Sequence, residues 1–144
     1  MSRSDELQGN LLFELSQIRK ELAVLLRLIG KTRRLGPDEI QVRAAASSLQ
    51  SIYNGIERML QSVMKDKGLL PPQGQASHSE LLTSATTNGV ISSSLEGGLR
   101  DLMGFRHFYR PSYGFMIDNE LLNPLLSNVE NTISQVAKEL RLET

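Results

Sequence analysis

Apolar residues at helical spacing constrain the fold of this chain more than any other sequence feature. Near the N-terminus they recur every three or four positions, which is the pattern of one buried helix face: Leu7, Leu11, Leu15, Ile18, Leu22, Leu25 and Ile29. A second stripe with the same spacing comprises Val42, Ala45, Leu49, Ile52, Ile56, Met59 and Val63. Two long helices joined by a short turn predict an antiparallel hairpin.

Capping residues and helix breakers set the expected ends of these two helices. Ser4 is a candidate N-cap for the first helix, which we expect to stop at Gly30. Pro37 suits the first position of the second helix, and Gly68 marks its end.

Three shorter helices are predicted after the proline-containing loop at 68–74. A capping-box pattern, Ser-x-x-Glu, opens a helix over 77–85. A fourth helix starts at Ser93 or Ser94 and cannot continue past Arg110, because the residue before a proline is pushed out of the helical region. Asp118 caps the last helix, whose apolar stripe is Leu121 or Leu122, Leu125, Val129, Ile133, Val136 and Leu140.

The composition agrees with a helical core. Aromatic residues make up 5% of the chain and there is no Trp, so Leu, Ile, Val, Met and Ala must fill the interior. We therefore predict an all-α fold, an antiparallel bundle of about five helices, forming a single domain over residues 1–144. The absence of Cys excludes disulfides and thiolate metal sites. Without a visible signal peptide or membrane span, the protein is expected to be cytoplasmic.

Functional side chains concentrate in the segment 99–113, which we call the 99–113 cluster. Sixteen basic residues balance sixteen acidic ones in the whole chain, so any affinity for phosphate must be local. Arg100 and His107 are seven residues apart, which places both on one helix face, about 10 Å apart along the axis. Arginines could bind an RNA phosphate while His107 carries protons, with the 2′-hydroxyl of RNA as the nucleophile. This chemistry needs neither metal nor cofactor.

A structural interpretation of the same residues stays open. Arg and His near a helix C-terminus often only bond to the terminal carbonyls and favour the helix dipole. His78, in the capping region of the third helix, has a structural interpretation too. Two histidines 29 residues apart, without an acidic cluster nearby, predict no metal site.

The residues Arg100, Asp101, His107 and Tyr109 resemble the R-(polar)-x4–5-H-x-Y motif of HEPN-domain ribonucleases. The resemblance is specifically to the HepT toxins of HEPN–MNT (type VII) toxin–antitoxin pairs, whose helical organisation fits nearly the whole chain. The resemblance implies a metal-independent RNase that acts as a homodimer, with both motifs lining one cleft. It also implies a partner, a minimal nucleotidyltransferase that neutralises the toxin by transferring AMP to the motif tyrosine.

Carried over by position, the resemblance assigns a role to each residue of the motif. Arg100 would bind the scissile phosphate, Asp101 would orient the site and His107 would be the acid or base. Tyr109 would receive AMP, and this anion would compete with RNA phosphate for the charge of its neighbours Arg106 and Arg110.

A second motif register exists in many relatives, with the pattern Phe-Arg-His-x-x-Arg-His-x-Tyr. In that register the motif arginine is Arg106, the motif tyrosine is Tyr113, and the motif histidine falls on Pro111. Because proline has no side-chain donor or acceptor, the first register is preferred. Two other functions remain as alternatives: an inactive HEPN relative that dimerises or binds a nucleotidyltransferase, and a helical adaptor whose apolar stripes bind partner helices.

Overall fold

The structure is a computed structural model that describes residues 3–32, 39–69, 77–108 and 119–142. It contains five helices and, within these ranges, no strand: α1 (Asp5–Thr32), α2 (Glu39–Asp66), α3 (Ser77–Thr87), α4 (Ser93–Phe108) and α5 (Asn119–Glu139). The predicted all-α bundle of five helices is therefore confirmed. A single domain over the whole chain stays a prediction.

The α1–α2 hairpin is antiparallel, as its cross-links show. Arg58 of α2 donates to Glu14 near the start of α1 at 2.7 Å, and Ser48 donates to Glu21 further along α1, also at 2.7 Å. Between these pairs a Cβ at Gly55 would lie 2.8 Å from Cγ1 of Ile18. The two helices approach closely there because glycine has no side chain.

Helix α2 lies at the centre of the bundle and contacts every other helix. Its predicted stripe is buried at Ala45, Leu49, Ile52, Ile56, Met59 and Val63. The buried surface is wider than one stripe, since Ala46, Tyr53, Leu60 and Met64 are fully buried as well. A helix packed on several sides must be apolar around more of its circumference than a surface helix.

The helix ends differ from the expectations at a few positions. Helix α1 continues through Gly30 to Thr32, because a glycine inside a helix costs only about 1 kcal/mol relative to alanine. Helix α3 extends to Thr87, two residues beyond the predicted end at Ala85. Gly89, whose φ is +73°, lies in the turn that follows the helix. Ser4 caps α1 as predicted, since its Oγ accepts the N–H of Leu7 at 3.1 Å. Pro37, Arg110 and Asp118 lie outside the described residues.

Candidate functional site

Helix α4 carries the predicted catalytic residues, and its N-terminus is tied to the end of α5. The helix starts at Ser93, as predicted, but the capping side chain is Ser92, whose Oγ accepts the N–H of Leu95 at 3.1 Å. The carboxylate of Glu139 accepts the backbone N–H of Ser92 at 2.6 Å and its hydroxyl at 2.7 Å. Burial raises the pKa of Glu139, but the hydrogen bonds to its carboxylate together lower the pKa by more than burial raises it. The pKa of Glu139 therefore lies below its ordinary value.

The buried face of α4 anchors the helix in the core at Leu95, Leu99, Leu102 and Phe105. Gly98 faces α5, where a Cβ would lie 3.4 Å from Oγ1 of Thr132. Together with the Ser92–Glu139 contact, this pairing makes α4 and α5 antiparallel neighbours. The orientation of α4, and therefore of the 99–113 cluster on it, is set by this packing.

Four predicted site residues lie on this one helix: Arg100, Asp101, Arg106 and His107. Asp101 is exposed. The side chains of residues 106–108 are outside the structural description, and so are Tyr109, Arg110, Pro111 and Tyr113 as whole residues. The structure therefore places Arg100 and His107 on the same helix and does not test their proposed roles.

Arg100 is bonded to α3 and to its own helix. Its Nε donates to Oε2 of Glu96 at 2.8 Å, and its Nη1 donates to Oγ of Ser79 at 2.9 Å. Its Nη2 donates to the carbonyl oxygen of Ser79 at 3.3 Å and to Oγ1 of Thr83 at 2.7 Å. A guanidinium has five N–H donors, so these four bonds leave one, on Nη1. The side chain is 33% exposed, which keeps it within reach of solvent.

Glu96 compensates part of the charge of Arg100. The two residues form an ion pair of 2.8 Å at i, i+4 on α4. Hydrogen bonds hold the pKa of the Glu96 carboxyl below its ordinary value, and the bond from Thr86 has a larger effect than the bond from Arg100. Glu96 therefore remains ionised at neutral pH, and the field that Arg100 presents to an anion is weaker than that of an isolated guanidinium.

The other histidine of the chain, His78, lies in the first turn of α3 and contacts α2. Nδ1 of His78 lies 2.7 Å from Oε2 of Glu57, whose side chain on α2 is only 8% exposed. The first turn of α3 thus connects to α2 through His78 and to α4 through Ser79. Sequence reasoning predicts a structural role for His78 but does not identify Glu57 as its partner.

Ser79 and Thr83 were not predicted from the sequence to contact the site. One signal was available, since the two hydroxyl residues are four positions apart and share one face of α3. Their contact with Arg100 depends on how α3 packs against α4.

In the described part of the chain, no group of three or more His, Asp or Glu residues could hold a metal ion. None of the helices in these ranges is both long and apolar enough to cross a membrane.

Comparison with known proteins identifies the family. No curated protein and no solved structure matches the chain. A family model described as HepT-like protein matches residues 44–142, which include most of α2 and all of α3, α4 and α5. Since this match covers more than half of the sequence, the chain belongs to the HepT-like family of HEPN-domain proteins.

Proposed function

We propose that this protein is a metal-independent endoribonuclease that acts as a toxin. The observation that carries the proposal is the placement of Arg100, a permanently charged and partly exposed guanidinium, on the same helix as His107 in a HepT-like chain. Arg100 and the neighbouring arginines Arg106 and Arg110 bind and neutralise the phosphate. Asp101 orients the site, and His107 transfers protons.

The proposed reaction uses the nucleophile that RNA itself supplies. His107 takes the proton from the 2′-hydroxyl, and the 2′-oxygen attacks the adjacent phosphorus. The bond from phosphorus to the 5′-oxygen breaks with its electron pair remaining on that oxygen, which takes a proton from the protonated His107 or from water as it leaves. The products are a 2′,3′-cyclic phosphate and a 5′-hydroxyl end. The arginines stabilise the negative charge that develops on the phosphate oxygens.

The proposal includes a homodimer and a nucleotidyltransferase partner. Arg100 and His107 are about 10 Å apart along one helix, which is too far for both to serve one phosphate well. A second copy that faces the first places arginines and histidines of both subunits around one phosphate. The Tyr109 hydroxyl attacks the α-phosphorus of ATP in the partner's active site, and pyrophosphate leaves with the displaced bonding pair. The negatively charged AMP then interacts with the arginines of the site and competes with RNA phosphate for them.

Incubation of purified protein with total RNA and with tRNA in the presence of EDTA tests the proposed activity. Cleavage that persists in EDTA and yields 2′,3′-cyclic phosphate ends is the expected result. Loss of cleavage in EDTA, with recovery on addition of Mg²⁺, contradicts the mechanism. Light scattering on the same sample is expected to give about twice the 16.0 kDa mass of the chain.

One observation favours a second candidate function, that of an inactive HepT-like protein which dimerises and binds a nucleotidyltransferase. Arg100 uses four of its five donors within the fold, as expected of a structural arginine. This candidate predicts no RNA cleavage at any protein concentration, together with stable binding of the nucleotidyltransferase. The EDTA experiment on RNA separates the two candidates.

A further inference from the structure

The guanidinium of Arg100 is held in one orientation by acceptors from a neighbouring helix. Ser79 accepts through both its hydroxyl and its carbonyl oxygen, and Thr83 accepts through its hydroxyl. These three bonds involve both terminal nitrogens, so they restrict the rotation of the whole plane. The bond to Glu96 restrains Nε in addition.

The helix that supplies these acceptors is itself anchored. Leu81, Leu82 and Ala85 bury one face of α3 in the core. His78, next to Ser79, bonds to the buried carboxylate of Glu57 on α2. The acceptors for Arg100 therefore belong to a segment that is restrained on two sides.

We infer that Ser79 and Thr83 are positioning residues for Arg100, which they hold with a single N–H of Nη1 available for one phosphate oxygen. The inference rests on the proposed function and adds to it the number of donors that this arginine offers. An arginine that is already oriented need not be ordered when the substrate binds. In a site that stabilises a developing charge, such a fixed donor is more effective than a mobile one.

The donor count limits how Arg100 binds a phosphate. The usual arginine–phosphate pair uses two parallel N–H bonds. With one donor left, Arg100 cannot form that pair without releasing Ser79 or Thr83. Arg100 therefore contributes its charge and one hydrogen bond, and the remaining phosphate oxygen is bound by another group of the site.

A double variant, Ser79→Ala with Thr83→Val, removes both hydroxyl acceptors and retains the positive charge and nearly the same volume. Thr87→Val is the matched control, because Thr87 is exposed near the end of α3 and is not among the partners of Arg100. We expect kcat for RNA cleavage to fall by a factor on the order of 10 to 100, with KM changed less than about twofold, since the charge persists while two of the four bonds that orient the guanidinium are lost. Equal kcat values for the double variant and the control would overturn the inference.

A second readout does not depend on cleavage. The guanidinium ¹⁵N–¹H signals of Arg100, identified by their loss in Arg100→Lys, report its contacts directly. A 2′-O-methyl RNA oligonucleotide lacks the free nucleophile and so binds without being cut. We expect it to shift mainly the Nη1 signal of Arg100 in the wild type and in the Thr87→Val control. In the double variant we expect the signals of both terminal nitrogens to shift, because the freed donors allow two bonds to the phosphate.

The two readouts separate failure of the inference from failure of the proposed function. Arg100 signals that do not move when the oligonucleotide binds would overturn the inference and leave Arg100 as a purely structural residue, even if RNA is cleaved. Signals that shift in a protein without nuclease activity would support the positioning role for binding and reject cleavage.

Discussion

Nη1 of Arg100 donates a hydrogen bond of 2.9 Å to Oγ of Ser79, and this bond joins α4 to the first turn of α3. The arginine proposed to bind phosphate is thus also a part of the helix packing. Removing its side chain would leave the Ser79 and Thr83 acceptors without their partner and would alter stability together with any activity. Substitutions that retain the charge of Arg100, or that replace His107 instead, separate an effect on stability from an effect on activity.

His107 is expected to be the proton-transfer residue. His107→Ala should lower the rate of RNA cleavage by a factor on the order of 100 or more, as for loss of a general acid or base. The measurement is the initial rate of tRNA cleavage at fixed protein concentration. Glu130→Gln, which changes an exposed side chain on α5, serves as the control and should leave cleavage unchanged. Full activity of His107→Ala would instead favour the register that begins at Arg106.

AMP is expected on Tyr109 when the protein is co-expressed with a cognate nucleotidyltransferase. Only Tyr109 completes the H-x-Y spacing with an intact histidine, since the corresponding position before Tyr113 is Pro111. Mass spectrometry of peptides from the co-expressed protein locates the modification. Tyr109→Phe should escape neutralisation, and Tyr113→Phe should not. Modification of Tyr113 alone would reverse the assignment of the motif.

The Glu139–Ser92 contact is expected to stabilise the fold in a pH-dependent way. Because the folded-state pKa of Glu139 is lowered, its contribution is complete above the ordinary value of 4.5 and is lost as the pH falls through the folded-state pKa. Glu139→Gln should therefore reduce the free energy of unfolding by about 1 kcal/mol at pH 7. Denaturant unfolding at pH 7 and at about pH 3 should show this difference shrinking in acid.

The control for this measurement is Glu130→Gln, which changes an exposed carboxylate on the same helix. It should have little effect at either pH. A Glu139→Gln effect that is constant with pH would show that the ionised carboxylate is not the stabilising species.

Two glycines should respond to alanine in opposite directions. Gly89 ends α3 with a φ of +73°, and the next N–H, of Val90, bonds back to the carbonyl of Ala85 at 2.8 Å. Gly89→Ala should cost about 1 kcal/mol, because a side chain is strained in this left-handed conformation. Gly97→Ala, at an exposed position within α4 with open space around the new Cβ, should gain about 0.5 to 1 kcal/mol. Thermal unfolding of both variants measures the contrast, and a stabilised Gly89→Ala would contradict it.

The number of helices and most of their buried residues could be predicted from the amino-acid sequence. The stripe from Leu11 to Leu25 and the cap at Ser4 are properties of single segments, which depend on spacing and on local hydrogen bonds. The predicted helix ends at Gly30 and Ala85 were each two residues short. A single glycine does not end α1, and the two threonines after Ala85 are too weakly unfavourable in a helix to end α3.

The motif residues were equally visible in the sequence, since the spacing from Arg100 to Tyr109 carries the resemblance to the HepT-like family that the family match confirmed. The contacts of Arg100, in contrast, became visible only when the helices were packed together. Its contacts with Ser79 and Thr83, like that between His78 and Glu57, join residues about twenty positions apart. Such pairs depend on which helices pack against each other and on how far one helix is shifted along the axis of the other. Periodicity within one helix specifies the face that is buried, but it does not specify the neighbour that covers it.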